Sequence, residues 1–184
     1  MIQFIFPNKP VLIYSLDNVF KIADKENWVV QPKWNGCRAL PYCSEHGEII
    51  IFSRYGTPLT KTKHDWTWLS TLEFKRPWLL DGEFLSEGQI ILWDVGIEDG
   101  KKLNQPYEKT LERLMDQLPK LRKKGDLSIS SIKTLPIKKY KEILLTRSDP
   151  RLEGLVFKDL RAKNFWGGQK TFNVSTQIKY RFDK

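Results

Sequence analysis

"QPKWNGCRAL", Gln31 to Leu40, follows directly on the apolar run Trp28, Val29, Val30 and sets a lysine, an indole, Asn-Gly and an arginine where a β-strand is about to end. Pro32 precedes Lys33 and a Gly-containing turn follows it, so the backbone holds the lysine amine at a strand end. That placement suits a nucleophile, although a surface lysine at a hairpin end has the same local spelling. The rest of the chain decides between the two.

Outward from this stretch the pattern is α+β, with antiparallel β-sheets flanked by helices. Ser15 to Asn27 carries Leu16, Val19, Phe20 and Ala23 at helical spacing, with Ser15 or Asp17 as a cap. Val29 to Pro32, Arg38 to Cys43 and Ile49 to Ser53 read as strands, and "SEHGE" joins the last two into a hairpin. Trp78 to Phe84 and Gln89 to Val95 form a second pair through "LSEGQ", where Gly88 supplies a positive backbone dihedral. From Pro106 the period becomes helical: Leu111, Leu114, Met115, Leu118 and Leu121 share a face, Pro119 ends or bends the helix, and Gly125 stands at the C-cap position. Beyond the strand-like "LSISSIKTL", Ile137 to Thr146 is helical, and Gly154 to Lys158 and Val174 to Phe182 are strands. With no repeat or long linker, residues 1–184 are expected to form one domain.

Lys and Arg number 31 against 22 Asp and Glu, a net charge of +9 that favours a polyanionic partner such as nucleic acid. Cys37 and Cys43 have no metal-type spacing with His46 or His64, are expected to be buried, and point to a reducing cytoplasm. The opening "MIQFIFPNKPVLIYSL" lacks a basic leader and is cut by prolines, so neither a signal peptide nor a membrane anchor is expected. No segment approaches the roughly 20 apolar residues of a membrane span. Trp66, Trp68, Trp166 and "WGGQK" read as core or as a grip on nucleic acid.

Further stretches punctuate the chain: "FSRYG" (Phe52–Gly56), "LLDGEF" ending at Phe84, "ILWDVG" (Ile91–Gly96), "EGLVFK" (Glu153–Lys158) and "QIKYR" (Gln177–Arg181). Each sets charged groups at the edge of an apolar run, from which strand ends point side chains into a shared cleft. In this order they resemble the motif series of the covalent nucleotidyltransferases, the superfamily of ATP-dependent DNA ligases, RNA ligases and mRNA capping enzymes. "KWNGCR" is similar to Lys-x-Asp-Gly-x-Arg, "SRYG" to Ser-Arg-Asn-Gly, "DGEF" to the Asp-Gly-Glu block and "LWDV" to the aromatic-Asp segment. "EGLVFK" is similar to Glu-Gly-x-Val-x-Lys and "IKYR" to the closing Lys-x-Lys, while "YEKTLERLMDQL" stands where a ligase has a helix.

The resemblance implies that Lys33 attacks the α-phosphate of a nucleoside triphosphate, forms a lysyl-NMP and releases pyrophosphate. An ammonium cannot attack, so Lys158, Lys179 and a bound metal would help by lowering the amine's pKa. Glu83 and Glu153 are the candidate Mg²⁺ ligands. Glu83, Arg38, Arg54, Trp93, Val156, Lys158 and Lys179 are the candidate nucleotide contacts, with Trp93 either a stacking platform for the purine or core. Asp81 and Asp94 orient their neighbours. The implied reaction is an ATP-dependent ligase's, sealing 5′-phosphate/3′-hydroxyl nicks in DNA. An RNA ligase, a capping guanylyltransferase and a non-catalytic nucleotide- or nucleic-acid-binding relative are the alternatives, and ATP versus GTP stays open.

Three departures bear on these. Asn35 replaces the usual aspartate, Arg181 replaces the second lysine of the last motif, and no room is expected for the OB-fold domain that follows in most DNA ligases. The final "RFDK" spells like a motif of that domain and is read as coincidence.

Overall fold

The computed structural model describes residues 5–7, 9–23, 26–59, 64–86, 88–118, 122–163, 166 and 173–182. In chain order its elements begin with β1 (Lys9–Leu12), α1 (Leu16–Ile22), β2 (Trp28–Trp34), β3 (Cys37–Cys43) and β4 (Ile49–Phe52). β5 (Trp78–Leu85), β6 (Gln89–Glu98), β7 (Lys101–Lys102) and α2 (Tyr107–Gln117) follow. The remainder is β8 (Arg122–Lys124), β9 (Leu127–Ser131), β10 (Leu135–Pro136), α3 (Tyr140–Leu144), β11 (Leu152–Asp159) and β12 (Asn173–Arg181).

The strands form two sheets. The smaller runs β1-β12-β11-β2-β10 and the larger β4-β3-β5-β6-β9-β8, with β7 added beside β6. Most pairs are the antiparallel ones that alternation predicts, but β1 runs parallel to β12 and β9 parallel to β6. β11 lies between β2 and β12, strands distant from each other in sequence.

Period-two alternation explains where each sheet's apolar side goes. In the smaller sheet Val30, Leu155, Phe157 and Ile178 pack with Val19 of α1 and Ile143 of α3. Phe157 is fully buried, which contributes roughly 1.5–3 kcal/mol. In the larger sheet Leu80, Ile90 and Leu92 pack with Trp78 and with Leu114 of α2. Tyr107, Thr110, Leu111, Leu114 and Gln117 are the buried positions of α2, the spacing of one helix face. Arg113 clamps that helix to β6 through Glu98, with contacts of 2.6 to 3.2 Å.

Several expectations are corrected. The first helix stops at Ile22 instead of continuing to Asn27. Met115 is 48% exposed, because helical spacing turns it away from the Leu111–Leu114 face. Gly125 is not a helix cap: its φ of +59° serves the tight turn between β8 and β9. Cys43 is buried as expected, but Cys37 is only partly so. Trp66 and Trp166 are core residues at 4% and 7% exposure. Pro119 and Leu121, all of "WGGQK" except Trp166, and the last two residues of "RFDK" lie outside the described residues. Among the described residues no helix is long and apolar enough to cross a membrane.

Candidate active site

The side of the smaller sheet opposite its core carries a second alternating set. Register places Gly154 beside Lys33 and Arg181, Val156 beside Gln31 and Lys179, and Lys158 beside Val29 and Gln177. The backbone is tightly apposed here, since a Cβ on Gly154 would lie 2.0 Å from the Tyr180 carbonyl oxygen. From the larger sheet, neighbouring strands supply Arg38 opposite Glu83, with Trp93 beyond them on β6. Gly36 permits the turn that brings the two sheets together: a Cβ there would meet the Phe84 carbonyl oxygen at 2.5 Å.

Between these surfaces lies a cleft of about 690 Å³, within the roughly 300–1,000 Å³ range of small-ligand sites. Lys33, Arg38, Arg54, Glu83 and Trp93 line it, and so do Glu153, Val156, Lys158 and Lys179. Residues scattered from position 33 to position 179 are thus brought to one place, together with Arg181.

Lys33 Nζ donates a hydrogen bond to Glu153 Oε1, and Arg181 approaches the same oxygen at 4.0 Å. Burial lowers the Lys33 amine to about 8; Glu83 opposes the shift, while Arg181, Lys179 and Arg38 reinforce it. Burial raises the Glu83 carboxyl, against the pull of Arg38 and Lys33. Two carboxylates therefore flank one weakly basic amine. Among the described residues no three His, Cys, Asp or Glu side chains gather as a metal cage. Two carboxylates beside an open cleft instead fit the donor demand of Mg²⁺, which keeps water or phosphate in its other positions.

Asp81 accepts hydrogen bonds from Arg38 Nε and Nη2 and, at 2.9 Å, from the Trp93 indole. The Arg38 guanidinium lies 4.9 Å from the Trp93 ring centre. Asp81 thus fixes both groups, as expected of an orienting residue. Trp93 is half-buried and lines the cleft, so its ring faces the open volume as well as core.

Behind them Lys158 is buried against Asp94, with its Nζ 4.0 Å from the Tyr107 ring centre. Burial lowers Lys158 to about 8 and raises Asp94 to about 6, each opposing the other's shift. Each charge therefore favours the ionised form of the other, against the burial that disfavours both. Asn35 anchors its turn through the backbone, its N–H donating to the Arg151 carbonyl at 2.7 Å.

No family model and no curated protein sequence matches the chain. Solved structures do. The ligase domain of LigD from M. tuberculosis superposes with a TM-score of 0.66 at 16% identity, covering 95% of this chain and 59% of that one. The ATP-dependent DNA ligase of bacteriophage T7, in complex with ATP, gives 0.69 at 16% identity, covering 95% and 68%. A Lig E DNA ligase gives 0.58 at 12% identity, covering 95% and 69%. The chain has the fold of an ATP-dependent DNA ligase adenylation domain. It spans about three fifths of the LigD ligase domain.

Within this fold two cleft residues, Gln31 and Lys9, escape motif reading. Gln31, 1% exposed, donates from Nε2 to the Tyr107 hydroxyl at 2.7 Å and to Thr134 Oγ1 at 2.8 Å. Both hydroxyls spend their own protons elsewhere, Tyr107 on the Trp93 carbonyl at 2.9 Å and Thr134 on the Ile132 carbonyl at 3.3 Å. They must therefore accept from Gln31, which orients its amide and turns the carbonyl oxygen away from both. The available signal was periodicity, since Gln31 is two residues from Lys33 on one strand and shares its face. Lys9 also lines the cleft, and no local pattern announces it.

Proposed function

We propose that this chain is the nucleotidyl-transferring domain of an ATP-dependent polynucleotide ligase that seals 5′-phosphate/3′-hydroxyl nicks in DNA. The observation that carries this reading is Lys33. Its amine is lowered to about 8, is set between Glu83 and Glu153, and faces an open cleft edged by cations. Structural likeness to DNA ligase domains, two of them captured with ATP, supports the same reading.

In the first step the neutral Lys33 amine attacks the α-phosphorus of ATP. An N–P bond forms, the bond from the α-phosphorus to the bridging oxygen breaks, and pyrophosphate leaves with that electron pair while the amine's proton passes to solvent or to Glu153. Arg38, Lys158 and Lys179 offset the charge that builds on the phosphoryl oxygens. Glu83 and Glu153 would hold Mg²⁺, which supplies positive charge at the phosphates when bound. Trp93 and Val156 are the surfaces for the two faces of the base, and Arg38 and Arg54 the contacts for ribose and phosphate. The adenylyl group then passes to a 5′-phosphate, and a 3′-hydroxyl displaces AMP to close the backbone. The net charge of +9 suits a protein that grips phosphodiesters.

Gln31 supports adenine over guanine. Its oriented carbonyl oxygen is an acceptor suited to the exocyclic amine of adenine, whereas guanine would present a carbonyl oxygen and leave two acceptors opposed.

The test is intact-protein mass after incubation with Mg²⁺ and ATP or GTP, for wild type and Lys33→Ala, followed by adenylylated protein mixed with nicked duplex DNA or nicked RNA. The expected result is an AMP adduct on wild type alone that is consumed as nicked DNA is sealed. A GMP adduct would move the reading to capping, and sealing of RNA alone to an RNA ligase. A wild type that neither arrives adenylylated nor becomes so would overturn it.

A further inference from the structure

We propose that Lys9 binds the β- and γ-phosphates of the nucleoside triphosphate and the pyrophosphate released from it, an inference that rests on the nucleotidyl-transfer reading above. Lys9 opens β1, the strand added in parallel to the edge of β12. The pairing register jumps within β1: Pro10 faces Val174, whereas Val11 faces Ile178 and Leu12 faces Lys179. The start of β1, before this irregularity, reaches the cleft, which both Lys9 and Pro10 line. Lys9 is exposed there, so its ammonium is available to a ligand.

The order of the cations fixes which part of the ligand it would meet. Lys33, the nucleophile, is acted on by Glu83, Arg181, Lys179 and Arg38. After burial, the strongest influence on Lys179 is Lys9, followed by Arg181 and Arg54. In the sheet order β1-β12-β11-β2, Lys179 and Arg181 on β12 lie between Lys33 on β2 and Lys9 on β1, so a row of positive charge runs across the sheet from the amine that meets the α-phosphate. Of the two carboxylates near this row, Glu153 already engages Lys33 and approaches Arg181, and Glu83 acts on Lys33 and Arg38. The row is thus short of negative charge, and holding like charges together is costly until an anion arrives. A triphosphate with its α-phosphorus at Lys33 extends its remaining phosphates along this row. Pyrophosphate, the leaving group, gains charge there as the bond to it breaks, where a fixed ammonium stabilises it.

The test uses wild type, Lys9→Ala and Lys9→Arg in both directions of the reaction: single-turnover adduct formation against ATP concentration, and loss of adduct against pyrophosphate concentration. Lys9→Ala is expected to raise the concentration of ATP and of pyrophosphate needed for half-maximal rate by about tenfold, and Lys9→Arg to restore most of it. Competition by AMP, which lacks the outer phosphates, is expected to change less than twofold. Unchanged dependence on ATP and pyrophosphate would overturn the assignment, as would an equal loss for AMP, or a loss confined to the affinity for nicked DNA. A wild type that forms no adduct would remove the nucleotidyl-transfer reading and this inference together. A wild type that reacts and a Lys9→Ala variant that behaves like it would remove this inference alone.

Discussion

Lys33 on β2 and Glu153 on β11 are bound to each other as a hydrogen-bonded ion pair, across strands held in register by Gly154 opposite Lys33. The carboxylate keeps the amine at the cleft, and under the proposed nucleotidyl transfer it would accept a proton when phosphate arrives. Lys33→Ala is expected to abolish adduct formation. Lys33→Arg should do the same, because a guanidinium stays protonated. Glu153→Gln should retain the fold and slow adduct formation by about 100-fold, in the range of positioned proton-transfer groups. Single-turnover mass spectrometry with circular dichroism as the fold control decides this; a Glu153→Gln rate within threefold of wild type would refute the role.

The pH dependence of adduct formation follows from the lowered Lys33 amine. With its pKa at about 8 in place of 10.5, the reactive neutral form grows as pH rises and saturates above about 8. Below that the rate should fall about tenfold per pH unit, since only the deprotonated amine attacks. Glu83 raises this pKa and Arg181 lowers it. Glu83→Gln should therefore move the inflection down and Arg181→Ala should move it up. A pH profile from 6 to 10 for the three proteins tests both signs, and an inflection that does not move in either variant would count against this account of the amine.

Lys158 and Asp94 form a buried charged pair whose members are 4% exposed each. Removing one charge leaves the other desolvated, so Asp94→Asn is expected to cost about 3–5 kcal/mol in urea unfolding at neutral pH. The double variant Asp94→Asn/Lys158→Met should recover most of that loss and still fail to form the adduct, separating the pair's structural cost from its role at the phosphate. Additive losses in the two changes would show that they are not coupled.

The cleft residues were legible in the sequence from the ordered motif series that resembles the covalent nucleotidyltransferases, and the hairpins from short-range turn pattern. "SEHGE" and "LSEGQ" mark their turns, and strand alternation carries Lys33, Val156, Lys158 and Lys179 to one face. What could not be read was set by partners distant in sequence. The insertion of β11 between β2 and β12, the parallel addition of β1, and the place of Lys9 depend on pairings with no local signature. Gly125 misled because a glycine after a helical run has the same spelling whether it ends a helix or turns a hairpin. Gln31 gave periodicity but no chemistry, since its meaning comes from Tyr107 and Thr134, 76 and 103 residues away.

Gly154 tests the apposition of the three strands that carry the cleft. A methyl group there would sit 2.0 Å from a backbone oxygen and 3.0 Å from the Arg181 Cα, atoms that cannot swing aside as a side-chain end can. Gly154→Ala should therefore cost roughly 1–3 kcal/mol or more in urea unfolding, and weaken ATP binding by displacing Lys179 and Arg181. Gly125→Ala is the comparison, because nothing lies within 4 Å of a Cβ there and its cost comes only from the positive φ. Equal effects of the two changes on ATP binding would refute the tight apposition.

The Gln31 amide makes the last prediction. Its two N–H groups are committed to Tyr107 and Thr134, so its carbonyl oxygen is oriented by these two residues. Gln31→Leu removes the acceptor and should reduce the preference for ATP over GTP, measured as the ratio of adduct-forming kcat/KM, by tenfold or more. Tyr107→Phe leaves the acceptor in place but takes away one of its anchors, so the amide gains freedom to turn and the preference should fall by a smaller factor. If Gln31 merely fills space in the core, Gln31→Leu and Tyr107→Phe would lower stability while leaving the ATP/GTP ratio at its wild-type value.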